Sequence, residues 1–309
     1  MVLFSVGFCI LLYISWPYIW KSPIKTFAES FSKMSQFPWN GSVLFKGDLI
    51  VATKIPASYF PTWFAISNPP VWLLIGCVGI VFVVIDFFKN PPAYFQNTPE
   101  RNWLFYLASF FIPIFAVIIL HSIIYDDWRH LYFVYPAFVL LGIYGVHKFW
   151  RDKIKTGIMV VCGIQILMVG YFMVANHPFH YVYFNALVSH DEEYLRRHYE
   201  LEYWGTSNKQ ALEYLIANDT SSKIRVCGTF KEPIDNNILM LPVEQRKRFV
   251  WVNDATTGDY FITNFRLHPE DYPDDNHAST NIENDIRVLN STILRIYYMQ
   301  PKRGKTLVR

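Results

Sequence analysis

Five long apolar runs constrain this chain more than any other feature. Residues 1–20, 70–88, 103–124, 131–146 and 154–175 are almost free of charge, and each is close to the ~20 residues that carry a helix across a bilayer core. The backbone inside a bilayer must satisfy its own hydrogen bonds, so such runs predict helices. Pro113 lies within the run 103–124 and predicts a kink there. Charged residues are 17% of the 309-residue chain and aromatics 18%, against about 25% charged in an ordinary soluble domain. The run 1–20 lacks the basic start and small-residue cleavage pattern of a signal peptide. It reads as a first span, and a span beginning at residue 1 suggests a chain shortened at its N-terminus.

The remainder is polar. Residues 21–68 form a loop broken by Pro38, Gly41, Gly47, Pro56 and Pro61, so no long helix is expected across it. Its Tyr59, Phe60, Trp63 and Phe64 suit the headgroup level, as an interfacial loop or as one wall of a lipid-substrate site. From residue 185 the pattern changes again. ALEYLIAND, opened by Thr206 or Ser207, reads as a helix, and KIRVCGTF and GDYFITNF read as strands. DIRVLNSTILRIYYM reads as two strands with Asn290 and Ser291 at or near the turn, and residues 229–244 as a short helix. The expected fold is an α-helical polytopic membrane protein of about five transmembrane helices, followed by a small extracytoplasmic α/β domain. The expected boundaries are 1–184 for the transmembrane part, with its outer loop 21–68, and 185–309 for the α/β domain.

Orientation follows from the short loops. HKFWRDKIK carries Lys148, Arg151, Lys153 and Lys155, which marks it as cytoplasmic. Parity then places residues 21–68, the DDWRH loop and the C-terminal region outside. Lys21, Lys25 and Lys33 oppose this assignment, but less densely. The net charge of +3 is not concentrated on any segment, which argues against nucleic acid. Cys9, Cys77 and Cys162 lie in apolar runs and Cys227 in a strand, with no spacing for zinc or a disulfide framework.

Residues that could carry chemistry gather between the runs. In YDDWRHLYFVYP (125–136), Asp126, Asp127, Arg129 and His130 sit at the end of one span, with Tyr132 and Tyr135 three apart on the next. An arginine suits a bidentate phosphate contact and a histidine adds a donor or a proton. The same residues also suit a snorkelling anchor. His177 and His180 in NHPFHYVYFNAL are three apart, but no third ligand is spaced to complete a metal site, and they also suit interfacial packing. Glu200 and Glu202 could act as acid or base, or belong to a solvated edge. No glycine-rich phosphate loop, HExxH or GxSxG motif is present.

DDWRHLYFVYP, HPFHYVYFNAL and LEYWGTSNKQALEYL, in this order, resemble the C-terminal half of bacterial-type polytopic glycosyltransferases, the protein-mannosyltransferase-like and aminoarabinose-transferase-like enzymes of the GT-C fold. The loop WNGSVLFKG…IPASYFPTWFAISNPP fits the same resemblance. It implies transfer of a sugar from a polyprenyl-phosphate donor to a glycan, lipid or protein acceptor outside the cytoplasm. It further implies that Arg129 and His130 contact the donor's phosphate, that Asp127 and Tyr132 belong to the same substrate-binding site, and that Tyr59 and Trp63 line the path of the lipid-linked sugar. The family's catalytic acid lies in the first outer loop. The nearest acids here, Glu29 and Asp48, lack that context, so the resemblance implies a C-terminal portion without its catalytic acid. No cofactor is implied, although a divalent metal ion is left open. Two other readings stay open. One is a non-catalytic membrane subunit or binding module for lipid-linked sugar. The other is a transporter component, for which only His121 and Gln165 supply polar groups within spans.

Overall fold

The computed structural model describes residues 2–35, 39–150, 152–272 and 281–299. Among the described residues, four helical segments are long and apolar enough to cross a membrane. They are α4 (Pro70–Lys89), α6 (Thr98–Ile119), the segment Arg129–Lys148, and the part Ile154–Ala175 of α8 (Asp152–Ala175). The third starts as a 3-10 helix, Arg129–Val134, and continues as α7 (Tyr135–Lys148). The first apolar run departs from expectation. It forms α1 (Val2–Ser15), a 14-residue helix, followed by the 3-10 turn Pro17–Ile19. Pro17 disfavours helical geometry at Trp16, which leaves α1 short of a crossing. Of the five expected spans, four are therefore long enough to be candidates among the described residues.

The span expected at 103–124 is displaced toward the N-terminus. Asn97 and Pro99 open α6 ahead of Trp103, and His121, at φ 49°, turns the chain out of the helix before Ser122. The α4–α7 pair is the tightest contact. A Cβ on Gly79 would lie 1.8 Å from the Leu141 carbonyl oxygen, and one on Gly145 would lie 2.7 Å from the Gly79 nitrogen. Small residues let the two backbones touch where lipid gives helices no hydrophobic reason to associate. α8 stands further out, but its Gln165 side chain accepts from the Val71 N–H at 3.4 Å. That satisfies one of the open donors at the start of α4.

Residues 21–68 contain more structure than their prolines suggest. Helix α2 (Pro23–Ser35) precedes Pro38. Strands β1 (Ser42–Phe45) and β2 (Asp48–Val51) form a hairpin with Phe45 opposite Asp48. Its two-residue turn, Lys46–Gly47, has positive φ at both positions, as a type I′ turn requires. Helix α3 (Tyr59–Ser67) buries Tyr59, Phe60, Trp63, Phe64 and Ile66. Pro61 stays exposed, so the helix is buried over most of its surface but not all of it. Phe60 and Phe64 pack on Trp128, and Phe64 also on Phe138, while Trp63 packs on Phe184 and Tyr199. These aromatics form a joint rather than a headgroup belt. Asn185 ties it down by donating to the Ala65 and Asn68 carbonyls, both at 2.6 Å.

After α5 (Pro91–Gln96) on the opposite side and α9 (Tyr194–His198), the C-terminal region is mixed α/β. Its helices are α10 (Ser207–Asn218), α11 (Lys231–Leu239) and α12 (Val243–Arg246). Its strands are β3 (Ile224–Gly228), β4 (Phe249–Trp251), β5 (Tyr260–Thr263), β6 (Asn281–Val288) and β7 (Ser291–Tyr298). The sheet order is β4-β3-β5-β7-β6, with β3 parallel to both neighbours and β7 antiparallel to both of its own. The β6–β7 turn is Leu289–Asn290, again with positive φ at both residues. β7 is buried along nearly its whole length, as expected of an inner strand. Leu212, Leu215, Val226, Ile262 and Ile296 belong to the same continuous core as Trp63, Phe110 and Phe138. The α/β region is thus packed onto the membrane helices through α3.

Candidate functional site

The loop between α6 and the Arg129–Lys148 segment carries two consecutive residues in the left-handed region, Asp126 at φ 54° and Asp127 at φ 65°. Aspartate tolerates that region better than most side chains. The double turn leaves both carboxyl groups buried, at 3% and 4% exposure. Asp126 accepts from Arg129 Nη2 at 2.9 Å and from Arg266 Nη2 at 2.7 Å. Asp127 Oδ2 accepts from the Tyr132 hydroxyl at 3.0 Å and the Tyr203 hydroxyl at 2.5 Å. The site is therefore built across 140 residues of sequence, by a membrane-boundary loop and the turn after β5.

Arg266 had no signal in the sequence. It lies between Phe265 and Leu267, which both have positive φ. The Thr263 hydroxyl oxygen accepts from the Phe265 N–H at 3.0 Å. Asn264 holds the turn by donating to the Glu202 carbonyl at 2.8 Å. The Arg129 guanidinium lies 4.9 Å from the Tyr125 ring, 4.8 Å from Trp204 and 5.6 Å from Tyr203. This aromatic surround favours a weakly hydrated cation. Trp39 extends it by stacking on Tyr125 at 4.0 Å.

Glu200 is 6% exposed, and neither of its oxygens makes a well-formed hydrogen bond among the described residues. Burial, with the charge of Asp126 beside it, raises its pKa to about 8. Burial also raises Asp126, but Arg266 and Arg129 oppose that. In the pair, the proton resides on Glu200 and the charge on Asp126 between its two guanidinium groups. Burial raises Asp127 to about 6, against the pull of the Tyr203 and Tyr132 hydroxyls. The Tyr59 hydroxyl is held far above its usual range by burial and then by the Glu200 charge. Asp127 Oδ1, Arg129 Nε and the Tyr59 hydroxyl have no hydrogen-bond partner among the described residues. The centre is polar and incompletely satisfied, where buried polar groups ordinarily find partners.

The expected site residues divide accordingly. Arg129, Asp127 and Tyr132 meet in one cluster. His130 is exposed and packs edge-on against Tyr125 at 4.7 Å. Tyr59 and Trp63 are 1% and 2% exposed within the core. Glu202 acts at a helix terminus, where its carboxylate accepts from the Gly205 and Ser207 N–H groups at 2.9 and 2.8 Å at the start of α10. His177 Nδ1 and His180 Nε2 lie 3.3 Å apart. No group of three or more metal-ligating side chains occurs among the described residues.

Fold and site together define a chain with four candidate membrane spans carrying a mixed α/β region, with a buried carboxyl–arginine cluster where the two meet. Protein-family models, curated proteins and solved structures show no match to it.

Proposed function

We propose that this chain is the C-terminal portion of a membrane glycosyltransferase. In this reading it transfers sugar from a polyprenyl-phosphate donor, and Arg129 and Arg266 grip the donor's phosphate on the extracytoplasmic side. The observation that carries the reading is the convergence of both arginines on Asp126 at the end of a candidate span. Both guanidinium groups share the Asp126 carboxylate, and the buried Arg129 Nε has no hydrogen-bond partner among the described residues, which leaves a donor for the phosphate. A lipid phosphate whose tail lies among the spans reaches that depth without leaving the bilayer, and guanidinium is suited to it. The basic residues Lys148 and Lys155 at the opposite ends of the helices support the orientation.

In transfer, the acceptor oxygen forms its bond to the anomeric carbon while the carbon–oxygen bond to phosphate breaks. The arginines stabilise the charge gathering on the leaving phosphate, and a base takes the acceptor's proton. Glu200 holds its own proton at neutral pH, Asp126 is ion-paired, and Glu202 caps a helix. Asp127 has its Oδ2 engaged by the Tyr132 and Tyr203 hydroxyls, so the base is assigned, as the family resemblance implies, to an outer loop away from this cluster. That same observation favours the second reading, a non-catalytic module that holds lipid-linked sugar for a partner.

Photo-crosslinking tests the site. A polyprenyl phosphate with its reactive group next to the phosphate should label peptides containing Arg129, Tyr203 or Arg266, and Arg129→Ala should abolish that labelling. Labelling spread along the membrane helices, or unchanged in Arg129→Ala, would refute the phosphate grip.

A further inference from the structure

Next to the arginine cluster lies a cavity of about 390 Å³ that no feature discussed so far uses. Its walls include Trp39, Ser42, Tyr203, Phe230, Glu232 and Arg266. Its volume falls in the range of small-molecule sites, and its lining has their character of apolar walls with a few polar groups. Arg266 is a wall shared with the phosphate site, since its Nη2 reaches Asp126 at 2.7 Å while the residue borders the cavity. Two local features shape the walls. A Cβ on Gly41 would fall 2.4 Å from the Trp39 ring, so only glycine lets the indole lie against the chain there. Gly205, at φ 71°, turns the chain on the far side.

We propose that this cavity binds the sugar ring attached to the lipid phosphate, and that it disfavours an acidic pyranose. The proposal rests on the function proposed above and assigns its sugar subsite. A pyranose presents a C–H face and a rim of hydroxyls. Phe230 offers flat apolar surface for the first, with the edge of Trp39 beside it, and Glu232 and Ser42 offer acceptors for the second. The charges set the selectivity. Arg266 is ion-paired with Asp126, in a cluster where Asp126 and Asp127 balance Arg129 and Arg266, whereas the Glu232 carboxylate is exposed on the rim. An acidic sugar would meet a like charge there with no free cation to compensate, and is disfavoured.

Saturation-transfer NMR on the purified full chain in detergent tests this, with methyl β-D-glucopyranoside, methyl α-D-mannopyranoside and methyl β-D-glucuronide as probes. At least one neutral pyranoside should bind saturably through its ring C–H protons, with the glucuronide at least about tenfold weaker. Phe230→Ala should weaken the neutral sugar at least about tenfold. Glu232→Gln, on an exposed position that leaves the fold intact, should narrow the gap between neutral and acidic probes. Binding of neither neutral probe, equal binding of the glucuronide, or indifference to both substitutions would overturn the proposal. Arg129→Ala separates the two readings, because it should remove polyprenyl-phosphate binding and leave the sugar signal. If the wild type binds sugar but not polyprenyl phosphate, only the phosphate grip fails; if it binds polyprenyl phosphate but not sugar, only this cavity assignment fails.

Discussion

Glu200→Gln should remove a pH dependence that the folded protein owes to one buried proton. The Glu200 carboxyl titrates near 8 in the folded chain, against an ordinary value of 4.5. Between those two values the folded state binds more protons than the unfolded state, so stability falls as pH rises. Each pH unit in that window costs about 1.4 kcal/mol, which accumulates to about 3 kcal/mol between pH 4.5 and pH 7. The loss is complete once pH has passed through about 8. Glutamine keeps the size and neutrality of the protonated acid and cannot ionise. Relative to wild type, Glu200→Gln should therefore be near neutral at pH 4.5 and more stable by about 3 kcal/mol at pH 7. In a chain this long each kcal/mol moves the melting temperature by about 2 °C, so the gap at pH 7 should approach ~6 °C. Thermal melts of wild type and variant in detergent, followed by tryptophan fluorescence from pH 4.5 to 9, measure it directly. Parallel melting curves across that range would show that Glu200 ionises freely, and the proton assignment would fail.

Three further outcomes follow from the same geometry. Asp126→Asn removes the shared anion of Arg129 and Arg266 and should destabilise the protein by about 2–4 kcal/mol in such melts. It should also lower the Glu200 pKa, because the charge beside that carboxyl disappears. Tyr203→Phe deletes the 2.5 Å donor to Asp127. It should raise that residue's pKa further above about 6, read by carboxyl infrared difference spectra against pH, at a cost of about 1–3 kcal/mol. Gly79→Val places side-chain atoms where a Cβ already falls 1.8 Å from the Leu141 carbonyl. Disulfide trapping between cysteines introduced on facing turns of α4 and α7 should drop sharply in that background, and unchanged trapping would contradict the packing.

Much of the secondary structure was legible because it is periodic. The runs 70–88 and 154–175, the helix after Thr206, and the strands around Val226, Phe261 and Leu294 lie where pattern and turn residues put them. Features governed by single residues or long-range packing were not. Pro17 shortens the first helix, although the composition of residues 1–20 suits a crossing. The aromatics of α3 have the composition of an interfacial belt, and only their enclosure by Trp128, Phe138 and Tyr199 reveals a core. In the site, Asp126, Asp127 and Arg129 stand together in sequence and were visible as a group. Arg266 was not, because a lone arginine in NFRL carries no local signal and its role depends on a turn that brings it to Asp126. Glu200 and Glu202 are equivalent in sequence, yet one holds a buried proton and the other caps α10.

The most direct test of the account is equilibrium binding of polyprenyl phosphate and of the matching polyprenol to the protein in nanodiscs. Wild type should bind the phosphate at least about tenfold more tightly than the alcohol, as one charge-assisted hydrogen bond of about 1.5–3 kcal/mol requires. Arg129→Ala and Arg266→Ala should each erase most of that preference. Equal affinity for phosphate and alcohol in the wild type, or a preference that survives both substitutions, would contradict it.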